Sequence, residues 1–269
     1  MNRIDRAFAE LREKQQPAFI PFLTIGDPDV RTSVDIIKEL EKAGASILEL
    51  GVPYSDPLAD GPVIQRSSQR ALKNARISIM DCIQAAKTAR SEGCELPFIL
   101  FTYYNPVLQI GLERIFPILA ENEISGLIIP DLPMEEDAET REIAARYGIH
   151  LIPLVAPTSK ERIQKIVSRA SGFVYCVSSL GVTGTRSQFH SGIDEFLDTV
   201  KQASNIPIAI GFGISNHEQY ARFSKTCDGV VVGSALVRKV EEALPLLTNE
   251  ATKSQGLSEI HAFVKQLIG

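Results

Sequence analysis

Residues 47–65 read I-L-E-L-G-V-P-Y-S-D-P-L-A-D-G-P-V-I-Q. The run opens as an apolar strand, crosses a loop rich in proline and glycine, and reaches D-G-P, a helix start with proline in its first turn. It is therefore one βα unit, and it carries two carboxylates in costly or conspicuous places: Glu49 within the strand and Asp60 in the loop. Desolvating an unpaired carboxylate is strongly unfavourable. Either the protein uses Glu49 or a partner neutralises it.

The same pattern recurs along the 269 residues. Apolar runs at 19–25, 46–50, 97–103, 126–129, 150–155, 172–178, 207–210 and 229–232 are rich in Ile, Leu, Val and Phe without strict alternation, as strands buried on both faces of a parallel sheet are. Helical spacing of apolar residues covers 31–43, 79–91, 112–121, 135–147, 160–168, 193–203 and 217–224. Eight βα units with right-handed crossovers predict an α/β fold, a single (β/α)8 TIM barrel spanning residues 1–269. Ile4, Phe8 and Leu11 predict an extra N-terminal helix covering the barrel bottom. Leu257, Ile260, Phe263, Val264 and Leu267 predict a further C-terminal helix, a candidate for the eighth outer one, preceded by a polar surface loop at 248–256.

Composition narrows the partners. The chain is 44% hydrophobic and 23% charged, ordinary for a soluble enzyme, with formal net charge -5 and a pI near 5.5. No basic field exists to draw nucleic acid or an anionic membrane, and no apolar run approaches the roughly 20 residues that span a bilayer. Cys82, Cys94, Cys176 and Cys227 form no CxxC pair and the first residues lack a signal-peptide core, so a cytoplasmic protein with reduced thiols is expected.

In a (β/α)8 barrel the chemistry sits at the C-terminal ends of the strands. Glu49 and Asp60 belong to one such end. Two readings stand for each: Asp60 caps the following helix or reaches the barrel mouth, and Glu49 is ion-paired or is an acid/base. Glycines follow the last three strands at G-V-T-G (181–184), G-F-G (211–213) and G-S (233–234), where backbone amides can approach a phosphate monoester. The stretch 178–192, about 15 residues without apolar periodicity, is long for a βα loop and suggests a lid, with Thr183 and Arg186 either lid contacts or solvated.

None of the strand runs contains lysine, which leaves a Schiff-base mechanism without its nucleophile in the usual barrel position. The histidines at 150, 190, 217 and 261 are dispersed, so no metal site is expected, and neither a GxGxxG nor a Walker motif is present. General acid–base chemistry by carboxylates on a phosphorylated substrate remains.

The run 49–65 resembles the signature of the tryptophan synthase alpha chain family. The resemblance extends over T-I-G-D-P (24–28), L-F-T-Y-Y-N-P (100–106), I-I-P-D-L-P (128–133), G-V-T-G (181–184), G-F-G-I-S (211–215) and V-G-S-A-L-V (232–237), almost the whole chain. It implies a lyase that cleaves indole-3-glycerol phosphate to indole and glyceraldehyde 3-phosphate in tryptophan biosynthesis. It also implies that Glu49 is the general acid/base and that Asp60 holds the indole N–H. The phosphate would rest on the amides of Gly184, Gly213 and Gly233 with the Ser234 hydroxyl. Phe22, Leu100, Tyr175 and Phe212 match positions lining the indole pocket, and Thr183 is carried over as a substrate contact. Tyr103 and Tyr104 both occur where the family often has one aromatic, leaving the pocket tyrosine open by one place.

The family's loops corresponding to 53–60 and 105–111 face a beta chain that carries pyridoxal phosphate and receives indole. An α2β2 assembly is implied, with no cofactor in this chain. The alternatives are a stand-alone lyase of the same family, a sugar-phosphate isomerase, and a non-catalytic phosphate-binding subunit. Strand 5, ending L-V-A-P, lacks the carboxylate expected of the isomerase, and the presence of both Glu49 and Asp60 speaks against a non-catalytic subunit.

Overall fold

The structure, a computed structural model, describes residues 1–178, 192–211 and 213–269. Nine parallel strands are formed among them: β1 Ala18–Thr24, β2 Leu48–Gly51, β3 Phe98–Phe101, β4 Ile124–Ile128, β5 His150–Leu151, β6 Leu154–Val155, β7 Val174–Val177, β8 Ile208–Gly211 and β9 Gly229–Val232. Their order in the sheet is β5-β4-β3-β2-β1-β9-β8-β7-β6.

The two ends of that order are adjacent in the chain. Only Ile152 and Pro153 separate β5 from β6; the Ile152 N–H donates to the Leu127 carbonyl of β4 at 2.9 Å, and the Pro153 carbonyl accepts from the Tyr175 N–H of β7 at 3.0 Å. β5 and β6 are thus two halves of one stave, so the sheet closes on itself with eight staves. The run at 150–155 is not one continuous strand, because Pro153 has no N–H to give to a ladder.

Helices alternate with the staves: α1 Arg3–Glu13, α2 Val30–Ala43, α3 Pro62–Ala75, α4 Ile79–Ser91, α5 Tyr104–Ile110, α6 Leu112–Glu121, α7 Ala138–Arg146, α8 Lys160–Val167, α9 Ile193–Ala203, α10 His217–Phe223, α11 Ser234–Leu247 and α12 Lys253–Ile268. Each expected helix is present, but the C-terminal assignment shifts. The helix directly after the last strand is α11, and α12 is additional, packing on both α11 and α2. Since α12 begins at Lys253, the polar connection is only 248–252 rather than 248–256. No helix among the described residues is long and apolar enough to cross a membrane.

Period-two alternation of the strands sorts the core into two layers. Ile20, Phe22, Ile99, Phe101, Phe173, Tyr175, Ala209 and Val231 fill the barrel, while Phe19, Leu23, Leu48, Leu50, Leu100 and Leu127 pack against the helices. At the bottom, Asn2 caps α1 by accepting from the Ile4 N–H, and Ile4 and Phe8 close the barrel, Phe8 lying 5.5 Å from Phe173. Gly126 in β4 is needed for this plug: a Cβ there would lie 2.9 Å from Ile4 Cδ1 and from Ile152 Cδ1.

Phe173, fully buried between Phe8 and Tyr175, is the expected keystone of the interior. Phe173→Ala should lower the unfolding free energy by about 3–5 kcal/mol in urea titration, and a loss below about 1 kcal/mol would contradict this packing.

Candidate active site

β2 is four residues long, and its alternation turns Leu48 and Leu50 to the helices and Glu49 into the barrel. Register places Glu49 beside Phe22 of β1 and Ile99 of β3. The side chain is 1% exposed, and Glu49 Oε1 has no hydrogen-bond partner among the described residues. Burial therefore pushes the carboxyl well above the ordinary range and favours its neutral, proton-carrying form. No ion pair among the described residues accounts for Glu49. Tyr175 is close enough for the Glu49 charge to raise its phenol further, after burial.

The loop after β2 returns Asp60 to the same cavity, whose wall also includes Phe22, Phe101, Tyr175 and Ile64 of α3. Asp60 is not the cap of α3. That place belongs to Gly61, which makes no side-chain cap bond. Instead Asp60 Oδ2 accepts from the Tyr103 hydroxyl at 3.1 Å, and the same hydroxyl accepts from the Ala59 N–H at 3.0 Å. Tyr103 is stacked on Tyr54, with ring centroids 4.8 Å apart, whereas the Tyr104 hydroxyl pairs with Thr140 at 3.2 Å. Of the two tyrosines, Tyr103 is the one that contacts a cavity residue, behind Asp60. Burial pushes the Asp60 carboxyl up to about 6, opposed by the Tyr103 hydrogen bond. Burial thus raises the proton affinity of both carboxyl groups in this cavity, and only Asp60 has a hydrogen bond that favours its carboxylate.

Across the cavity stand Gly213, Gly233 and Ser234. Gly233 precedes α11 without a side-chain cap, so the unpaired amides of the first turn are available to an anion. No lysine or arginine lines this cavity among the described residues. Gly211 and Gly51 leave room for the aromatic walls: a Cβ on either would lie 2.4 Å from Tyr175 Oη or 2.3 Å from Phe22 Cζ.

Of the sequence-derived site residues, Glu49, Asp60, Phe22, Tyr175, Gly213, Gly233 and Ser234 converge here. Thr183, Gly184 and Phe212 lie outside the described residues, as does Arg186. Leu100 is misplaced as a pocket residue: it points to the outer layer, and its neighbour Phe101 faces the cavity, edge-on to Phe22 at 5.4 Å. Counting in steps of two along β3 from Ile99, the partner of Glu49, would have found Phe101. Ile64 was not among the expected site residues: the helix start at D-G-P is legible, but the apolar face of the helix that follows is not traced in the sequence. His150, His217 and His261 are engaged elsewhere, with Asp5, the Leu267 carbonyl and Glu39.

A closed (β/α)8 barrel with two desolvated carboxyl groups and an amide cradle at its mouth defines an enzyme of general acid–base type. The profile of the tryptophan synthase alpha chain family matches residues 8–267. The tryptophan synthase alpha chain of Bacillus pumilus (strain SAFR-032) is 53% identical over 253 residues, covering 94% of each chain. Among solved structures, the tryptophan synthase of Mycobacterium tuberculosis superposes with TM-score 0.86 at 35% identity, covering 99% of this chain and 96% of that one. The tryptophan synthase a2b2 complex of Pyrococcus furiosus gives TM-score 0.83 at 33% identity, covering 94% and 98%. The chain belongs to the tryptophan synthase alpha chain family.

Removing the donor to Asp60 has a defined sign. The Tyr103 hydrogen bond favours the carboxylate, so Tyr103→Phe should move the Asp60 titration above about 6. A 13C NMR titration of labelled aspartate reads this, and an unchanged or lower midpoint would contradict the assignment. Glu49 has the opposite linkage to a salt-bridged acid. Its folded-state proton affinity exceeds the unfolded one, so the folded state binds more protons and stability falls as pH rises above the unfolded value of about 4.5. Glu49→Gln should remove that fall, flattening stability against pH in chemical unfolding; the same slope as the parent protein would refute it.

Proposed function

We propose that Glu49 and Asp60 divide the chemistry of the family's reaction, the lyase cleavage of indole-3-glycerol phosphate to indole and glyceraldehyde 3-phosphate. Indole leaves poorly as a carbanion, so its C3 must gain a proton before the bond to the glycerol chain breaks. Glu49, kept neutral by burial, supplies that proton, and the resulting carboxylate takes the proton of the side-chain hydroxyl as the carbonyl forms. The electron pair of the broken bond returns to the ring. Asp60, charged at neutral pH, accepts the indole N–H and offsets the positive charge on the protonated ring. The substrate phosphate binds the amides after β8 and at the start of α11, with Gly184 completing the cradle. Phe22, Phe101, Tyr175 and Phe212 enclose the indole, and Thr183 meets the substrate from the 178–192 loop. The observation that carries this reading is the buried Glu49 in Asp60's cavity, whose Oε1 has no hydrogen-bond partner among the described residues.

The chain works as the alpha subunit of tryptophan synthase, with a beta chain as partner and pyridoxal phosphate held by that chain. Exposed Leu58 on the loop after β2 and Leu108 on α5, 77% and 51% accessible, support a docking face there, and the Pyrococcus furiosus relative is an a2b2 complex. Residues 1–269 act as one domain, since α12 ties α11 back to α2. A cytoplasmic setting accords with four buried, free cysteines.

Indole release from indole-3-glycerol phosphate tests the reading. Glu49→Gln should lower turnover by about 10²–10⁴-fold while the phosphate-bearing end still binds. Undiminished turnover would sink the mechanism. Co-elution with a beta chain should accompany faster turnover, and neither would occur for a stand-alone lyase.

A further inference from the structure

Asp27, in the loop after β1, is 1% exposed and takes three donors from α3: Ser67 Oγ at 2.5 Å, Arg70 Nε at 3.0 Å and Arg70 Nη2 at 2.8 Å. The remaining Arg70 nitrogen, Nη1, reaches Glu241 Oε1 of α11 at 2.6 Å. Glu241 is held in turn by Arg66, whose Nε and Nη2 lie 2.9 and 2.7 Å from its two oxygens. Two guanidinium and two carboxylate groups thus form one continuous, charge-neutral chain, Arg66–Glu241–Arg70–Asp27, joining the β1 loop, α3 and α11. Each of these elements also presents a wall of the cavity. β1 carries Phe22, α3 follows directly on Asp60 and carries Ile64, and α11 opens with Ser234 behind Gly233.

The network lies close to the ends that matter. Arg66 and Arg70 stand one and two helical turns past Pro62, and Glu241 two turns past Ser234, so the two helices are pinned roughly 12 Å or less from their cavity-facing starts. α3 has no side-chain cap to fix its first turn. A planar guanidinium that binds one carboxylate through two nitrogens and a second through its third fixes angles as well as distances, which an ammonium cannot do.

We infer that Arg70 is a positioning residue for the lyase reaction: by clamping α3 to both the β1 loop and α11, it sets where Asp60 stands relative to the phosphate-binding amides. Charge alone at position 70 does not serve, because the fork joins three elements at once. The inference rests on the proposed function for its kinetic consequence, and its structural consequence can be read without turnover.

The test compares Arg70→Met, Arg70→Lys and Glu241→Gln with the parent protein. Three readouts are taken: indole release, binding of glycerol 3-phosphate as a probe of the amide cradle, and a 13C NMR titration of Asp60. For Arg70→Met, kcat should fall by about tenfold or more, because small misplacements of a catalytic group cost that much. Glycerol 3-phosphate affinity should hold, and Asp60 should titrate below about 6 as a loosened α3 admits water. Arg70→Lys should resemble Arg70→Met rather than the parent protein. Glu241→Gln, which leaves Asp27 paired, should show the same changes in weaker form and serves if the Arg70 variants do not fold. A lowered Tm with parental kcat and parental Asp60 titration would overturn the inference, as would full rescue by lysine. Undiminished turnover in Asp60→Asn would instead strike at the proposed reaction, leaving the titration to report on the clamp.

Discussion

The most demanding constraint in this molecule is a single buried carboxyl group whose Oε1 has no hydrogen-bond partner among the described residues. Ionised, Glu49 would lose several kcal/mol of hydration with nothing to replace it. Protonated, it is tolerable in a layer of Phe22, Ile99, Phe101 and Tyr175. The barrel supplies that dry environment through its closure: α1 plugs the bottom with Ile4 and Phe8, and Phe173 fills the space above them. What the fold provides is a place where burial raises the proton affinity of a weak acid, the property that the proposed proton donation to a carbon centre requires.

Asp60 shows how the same barrel mouth sustains a second, different carboxyl. It sits on a loop, it is slightly less buried, and it has a hydroxyl donor in Tyr103. Those differences leave its midpoint near 6, on the charged side of neutrality. In the proposed reaction, the two roles follow from environment and need no difference in side-chain chemistry beyond one methylene.

Much of this was legible in the sequence, and the failures have physical causes. Glu49 was visible because a carboxylate within an apolar run demands a reason, and the eight staves were visible because doubly buried strands are apolar throughout. The same absence of alternation hides which face each strand residue takes. A slip of one residue moves every side chain to the other layer, and this exchanged Leu100 for Phe101. The start of α3 is legible at D-G-P, but its inward face is not, because that face includes Ser67 and Ser68 beside Val63 and Ile64. The choice between Tyr103 and Tyr104 depended on whether a hydroxyl meets Asp60 or Thr140, a contact made between distant segments.

Among the described residues no cationic side chain lines the cavity, which in the proposed reaction bears on how substrate and acid communicate. A guanidinium or ammonium near the phosphate would stabilise a nearby carboxylate and lower the proton affinity of Glu49. Amide groups bind an anion through partial charges and leave the site's net charge negative once the phosphate arrives. In a dry cavity that added negative charge raises the proton affinity of Glu49 further. In the proposed reaction, binding of the phosphate and retention of the Glu49 proton would therefore reinforce each other, and amides at Gly213 and Gly233 would suit such a cavity better than lysine or arginine.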